Sequence, residues 1–176
     1  MAKKTLGYGL ISVGWMGRVH SRGLSQVPER YPELGVAIRK VIAADTLESA
    51  RDNAVNLMGF EQATENYLDV INHPDVDIVS ICSPNFLHHE IAMAAIKEGK
   101  DFWIEKPMGR SEVESREIAE GAIAKGLMTA VGFNYRQSPA IAHARELVRG
   151  GKLGKIYNVE VKMIAGYVND PEGAFT

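Results

Sequence analysis

A short apolar run, Leu6 to Val13, breaks at Ser12-Val13-Gly14-Trp15-Met16-Gly17, and the residues after it have the spacing of a helix. A strand that turns through closely spaced glycines straight into a helix leaves few folds open. Its neighbour in a parallel sheet is reached only through a long crossover. The helix is predicted from Met16 to about Gln26, broken by Pro28 and Pro32 in a surface loop. The same alternation then repeats. Ile38 to Ala44 is a second apolar run with Asp45 at its end, and Thr46 is placed to cap a helix over Leu47 to Leu57. A weaker strand is predicted near Gly59 to Ala63. A short helix from Tyr67 to Asn72 stops at His73-Pro74.

Val76 to Cys82 is the clearest strand, followed by a helix from Phe86 to Glu98 that Gly99 closes. Asp101 to Ile104 is a strand running into Glu105-Lys106-Pro107. Ser111 and Glu114 have capping-box spacing before a helix to about Lys125. A strand over Leu127 to Gly132 and a helix over Pro139 to Val148 complete the series. Apolar strands alternating with helices predict an α/β fold, a doubly wound parallel sheet of the Rossmann type, over residues 1–136. Residues 137–176 read as a linking helix followed by the start of another domain. Ile156 to Ile164 alternates apolar and polar side chains, which predicts a half-exposed first strand of a further α+β domain. The chain is therefore expected to be the first portion of a longer protein.

Composition excludes several classes. A net charge of −2 gives no electrostatic reason to expect nucleic acid. Apolar stretches stay under about 10 residues, too short to span a bilayer. Lys3 and Lys4 before an apolar run imitate a signal peptide, but Gly7, Gly9 and Gly14 interrupt that run and no small-x-small cleavage site follows. The only cysteine, Cys82, sits in an apolar run and reads as a small buried hydrophobe; a single thiol suits a reducing cytoplasm.

Four segments carry chemistry. In the first turn, Gly14 allows close approach of a pyrophosphate and Gly17 allows the helix to pack on the strand. The free N–H groups at Trp15 and Met16 favour an anion. Ser12 stands where a glycine is usual, and a positive φ there costs about 1 kcal/mol or more. These residues also fit a plain strand–helix turn. Asp45 is placed to accept hydrogen bonds from a ribose and to repel a 2′-phosphate, which favours NAD over NADP. The gap from Gly17 exceeds the usual ~20 residues, and the loop around Pro28 and Pro32 accounts for the excess. Asp45 also fits a helix cap. Ser83-Pro84-Asn85 with His88 lies past the fourth strand, at the edge where open α/β sheets bind ligands; capping is the alternative. His88-His89-Glu90 does not make a metal site, because adjacent residues face apart and no further ligands join them. Glu105-Lys106 stands at a strand end expected to be half buried, where a lysine of lowered pKa suits acid–base work. A surface ion pair is the alternative.

Taken in order, these segments resemble the glucose–fructose oxidoreductase and inositol dehydrogenase family (Gfo/Idh/MocA). The resemblance rests on Gly14-Trp15-Met16-Gly17-Arg18-Val19-His20, Asp45, Ser83-Pro84-Asn85 with His88, Glu105-Lys106-Pro107 and Val131-Gly132-Phe133-Asn134-Tyr135-Arg136. The segment Leu147 to Ile156 resembles the family's crossing into its second domain. The resemblance implies hydride exchange between NAD and a sugar or cyclic polyol carbon. It implies that Lys106 assists proton transfer at the reacting oxygen and that Glu105 lines the nicotinamide ribose region. Asn85 and His88 would flank the cofactor, Arg136 would stand near cofactor or substrate, and the full-length form would be a homo-oligomer. A non-catalytic NAD-binding module, or a Rossmann domain for another nucleotide, is the competing expectation.

Overall fold

The computed structural model describes residues 4–164. Six strands are β1 (Lys4–Ile11), β2 (Val36–Ala44), β3 (Gln62–Thr64), β4 (Ile78–Ile81), β5 (Asp101–Ile104) and β6 (Thr129–Val131). The helices are α1 (Trp15–Arg30), α2 (Glu48–Asn56), α3 (Tyr67–Asn72), α4 (His88–Lys97), α5 (Glu112–Ala124) and α6 (Pro139–Arg149). The strands form one parallel sheet in the order β3-β2-β1-β4-β5-β6. The order reverses between β1 and β4, so helices connecting the two halves fall on opposite faces.

The cores follow from strand alternation. Tyr8 and Leu10 of β1 pack with Ala43, Ala54 of α2 and Leu24 of α1. Ile11 faces the other way, with Val70 and Ile71 of α3, Ile91 and Ala95 of α4 and Ile118 of α5. A fully buried Ile contributes roughly 1.5–3 kcal/mol, so these two layers supply most of the drive to fold. Gly9 lies on the second face, where a Cβ would stand 2.5 Å from Val70 Cγ1. A side chain there would push α3 off the sheet.

The chain divides into two compact units, Met1–Phe133 and Asn134–Thr176. The second contains a 3₁₀ turn at Asn134–Gln137 and α6.

Several local expectations need correction. α1 continues through Pro28 to Arg30; a proline in the last turn removes one N–H bond, and Tyr31 N–H still closes on the Val27 carbonyl at 2.9 Å. Thr46 does not cap α2. Asp45 Oδ1 accepts the Leu47 N–H instead, at 3.0 Å. Gly59, at φ 79°, belongs to the turn closing α2, so β3 starts three residues later than predicted, at Gln62. Ser83 and Asn85 give no side-chain cap to the turn Asn85–Leu87, which precedes α4. Ser111 Oγ accepts the Glu114 N–H at 3.2 Å, but the Glu114 carboxylate reaches the Arg110 N–H rather than that of Ser111. Ile156 to Ile164 forms no strand: the segment makes no ladder bonds, and apolar side chains such as Tyr157, Val159 and Val161 are exposed. An alternating sequence holds strand form only when a neighbour takes up its backbone hydrogen bonds. No helix among the described residues is long and apolar enough to cross a membrane.

Candidate functional site

The carboxyl edge of the sheet is stitched in one row. Ser12 N–H donates to Ala44 O at 2.8 Å, Cys82 N–H to Ile11 O at 2.9 Å, Glu105 N–H to Ile81 O at 2.9 Å and Gly132 N–H to Ile104 O at 2.9 Å. These bonds bring the strand ends that carry Ser12, Asp45, Ser83 and Glu105 to a common edge.

At the first turn, Ser12 has φ 72°, so a β-carbon occupies the left-handed conformation that glycine usually takes. Gly14 is the residue before α1, and no side chain caps the helix and no acid lies in its first turn. The first N–H groups and the positive end of the helix dipole are thus left for an anion. Around Gly14 a Cβ would meet only Ser12 Oγ, at 3.9 Å. Around Gly17 a Cβ would stand 2.1 Å from Ser12 O. The two glycines have separate tasks: Gly17 lets the helix seat on the turn, and Gly14 keeps the approach clear. Trp15 is exposed and Met16 half-buried at the same end.

Asp45 ties this turn to β2. Its Oδ2 accepts the Val13 N–H at 2.8 Å while Oδ1 holds Leu47. The Leu47 N–H precedes α2, which has no side-chain cap, so the carboxylate orders the turn before the helix without capping it. Each carboxylate oxygen keeps a further lone pair for a hydroxyl donor. Ser83 Oγ is buried without a hydrogen-bond partner, and Pro84 and Asn85 beside it are exposed.

The Glu105-Lys106 pair divides. Glu105 is buried and its Oε1 lies 3.0 Å from His20 Nε2. His20 is also buried. Its Nδ1 lies 3.2 Å from Ser80 Oγ, and its ring stacks on Trp103 with centroids 4.1 Å apart. Burial lowers the His20 pKa below its ordinary value, against the opposing pull of Glu105. Gly132 accommodates the carboxylate, since a Cβ there would stand 2.3 Å from Glu105 Oε1. Lys106, one residue beyond, is exposed, which corrects the expectation of a half-buried lysine. The sheet edge buries Glu105, and the chain leaves the sheet at the next residue. Lys106 makes no ion pair among the described residues, so the surface-pair alternative fails with it.

His88 is 1% exposed, with Nδ1 2.7 Å from Pro107 O and Nε2 2.9 Å from Ser83 O. Both ring nitrogens lie against backbone carbonyl oxygens, so the ring sits between the Ser83 turn and the Lys106-Pro107 turn and braces one against the other. Arg136 lies in the second unit, in the turn Asn134–Gln137. Sequence reasoning gave His20 no role. Its signal was a histidine among the inward positions of α1, one turn after Gly17. Cys82 is half-buried, short of the full burial expected; burial and the charge of Glu105 push its thiol far up, in keeping with an inert sulfur. Among the described residues no group of three or more His, Cys, Asp or Glu is placed to hold a metal ion.

Comparison with known proteins gives one family. The model for the oxidoreductase family with an NAD-binding Rossmann fold, GFO_IDH_MocA, matches residues 6–133. Levoglucosan dehydrogenase of Pseudarthrobacter phenanthrenivorans is 36% identical over 169 residues, covering 96% of this chain and 43% of that protein. The scyllo-inositol 2-dehydrogenase (NAD(+)) of Bacillus subtilis is 28% identical, covering 83% of this chain and 41% of its own length. Among solved structures, levoglucosan dehydrogenase in complex with NADH and levoglucosan matches with TM-score 0.80 and 33% identity, over 86% of this chain and 41% of that one. The chain thus spans less than half the length of the relatives it matches. With a family model covering most of its length, the chain belongs to the Gfo/Idh/MocA oxidoreductases, in their NAD-binding Rossmann portion.

Proposed function

We propose that this chain is the cofactor-binding part of an NAD-dependent dehydrogenase or reductase acting on a CH–OH or carbonyl carbon of a sugar or cyclic polyol. The observation that carries the reading is the uncapped α1 N-terminus behind Gly14, tied through Val13 to Asp45. Ser12, Gly14, Trp15, Met16 and Gly17 would cradle the pyrophosphate. Asp45 would take the adenosine ribose and disfavour a 2′-phosphate, so NAD is preferred to NADP. Ser83, Pro84, Asn85 and Glu105 would line the nicotinamide side, with Arg136 nearby. The unpartnered Ser83 hydroxyl and the open space at Gly14 fit such a ligand. When bound, NAD supplies the hydride acceptor at its nicotinamide ring.

The chain's own contribution to chemistry is the Lys106 Nζ. A free ammonium at the sheet edge can hydrogen-bond the reacting oxygen and exchange a proton with it. Glu105 fixes the backbone from which Lys106 springs: its Oε2 accepts the Lys106 N–H at 3.3 Å while Oε1 is held by His20. Residues 137–176 would lead into the substrate domain of a cytoplasmic homo-oligomer.

Lys106→Ala, in a form carrying the rest of the protein, should lower polyol turnover by ~10²-fold or more while sparing NADH affinity. An unchanged rate removes Lys106 from the mechanism. NADH binding without turnover on any polyol would favour a non-catalytic NAD-binding module.

A further inference from the structure

A cleft of about 370 Å³ lies between α1 and α2, over Lys40 of β2. It shares no lining residue with the Ser12–Gly17 turn, Asp45 or Glu105. Its walls carry Arg18 and Arg22 on α1, Lys40 below and Asn53 and Met58 opposite, and no carboxylate lines it. Arg18 and Arg22 stand four residues apart on one helix. Like charges at this spacing repel. Neither arginine forms an ion pair among the described residues. Lys40 Nζ donates one bond, to Met58 O at 2.7 Å, and keeps two donors.

A second observation points the same way. Ser21 lines this cleft, is 2% exposed, and its Oγ has no hydrogen-bond partner. A helical serine ordinarily satisfies its hydroxyl on the carbonyl one turn back, as Ser25 does on Ser21 O at 2.8 Å. A buried hydroxyl without a partner is uncommon. Ser21 shares the cleft lining with Arg18, Arg22 and Lys40, none of which has an anionic partner among the described residues.

We propose that the α1–α2 cleft is an anion-binding site, separate from the dinucleotide site, that takes a small phosphate monoester. The two guanidinium groups suit phosphate oxygens, Lys40 adds a third charge, and Ser21 supplies a neutral donor. The volume is at the small end of ligand pockets, which run from ~300 to ~1,000 Å³. That suits a molecule of sugar-phosphate size.

The test titrates the ¹⁵N-labelled chain with inorganic phosphate at constant ionic strength, chloride being the replacement ion, with NADH saturating throughout. Saturable shifts of the Ser21, Arg22 and Asn53 amides are expected, weakened about tenfold in Arg22→Ala. Arg22 is exposed and unpaired, so that variant leaves the fold intact; Lys40→Met provides a second, independent loss. Ser21→Ala should weaken binding by a smaller factor. Three results would overturn the proposal: no saturable shift beyond the chloride control, shifts that Arg22→Ala and Lys40→Met leave unchanged, or shifts seen only without NADH. The last would place phosphate in the pyrophosphate turn.

Discussion

Replacing Gly17 by alanine should lift α1 off the turn that precedes it. The new Cβ would stand 2.1 Å from the Ser12 carbonyl oxygen and 3.2 Å from its carbon, where ordinary contact begins at 3.4 Å. The obstacle is backbone, so no side chain can swing aside, and the helix must retreat by roughly 1 Å. Overpacking of this kind costs about 1–3 kcal/mol. The better helix propensity of alanine offsets up to about 1 kcal/mol of it. A net loss of about 1–2 kcal/mol is expected. The same displacement moves the first-turn N–H groups. A hydrogen bond to a charged group is worth about 1.5–3 kcal/mol, so losing one weakens NADH by about tenfold or more. Gly14→Ala is the counterpart, since its Cβ would meet only Ser12 Oγ at 3.9 Å. It should change stability by no more than about 1 kcal/mol yet weaken NADH by about tenfold or more. Urea denaturation followed by circular dichroism reads stability, and nicotinamide fluorescence reads affinity. A Gly17→Ala protein with unchanged midpoint and unchanged NADH affinity would refute the reasoning. So would a Gly14→Ala protein that loses as much stability as Gly17→Ala.

Two further outcomes follow from the same edge. Ser12→Gly should raise stability by about 0.5 kcal/mol: relief of a left-handed backbone worth ~1–2 kcal/mol exceeds the extra entropy of an unfolded glycine. A lower urea midpoint would mean that the Ser12 side chain contributes more than its φ of 72° costs. The buried His20 has a lowered pKa. Below about pH 6.5 the unfolded chain takes up a proton there that the folded chain refuses, so stability falls as pH falls. His20→Asn should flatten that part of the stability–pH profile, and an unchanged slope would show that His20 is not its source.

Local signals made much of the fold legible. The bounds of Tyr67–Asn72 are legible because His73-Pro74 stops a helix in place, and those of Asp101–Ile104 because an apolar run meets Glu105 directly. The candidate site was legible as strand-end positions, since a repeating strand–helix pattern puts every such end on one edge. Pairings were not legible. His20 and Glu105 are 85 residues apart, and nothing near either residue names the other. Asp45 read as a ribose acceptor or a cap, and only the tertiary structure shows its second oxygen on the Val13 N–H. The bracing contacts of His88 are not legible because its partners, Ser83 O and Pro107 O, are backbone atoms with no sequence signature. Ile156 to Ile164 failed for a related reason: alternation describes a face, and a strand needs a neighbour.

The central claim is that a dinucleotide lies across Gly14 with its adenosine ribose on Asp45, and amide mapping of NADH binding to this chain tests it most directly. Saturable shifts at Ser12 to Gly17, at Asp45 and at Ser83 are predicted, with NADPH binding more weakly. Absence of saturable shifts at these residues, or equal affinity for NADPH, would contradict it.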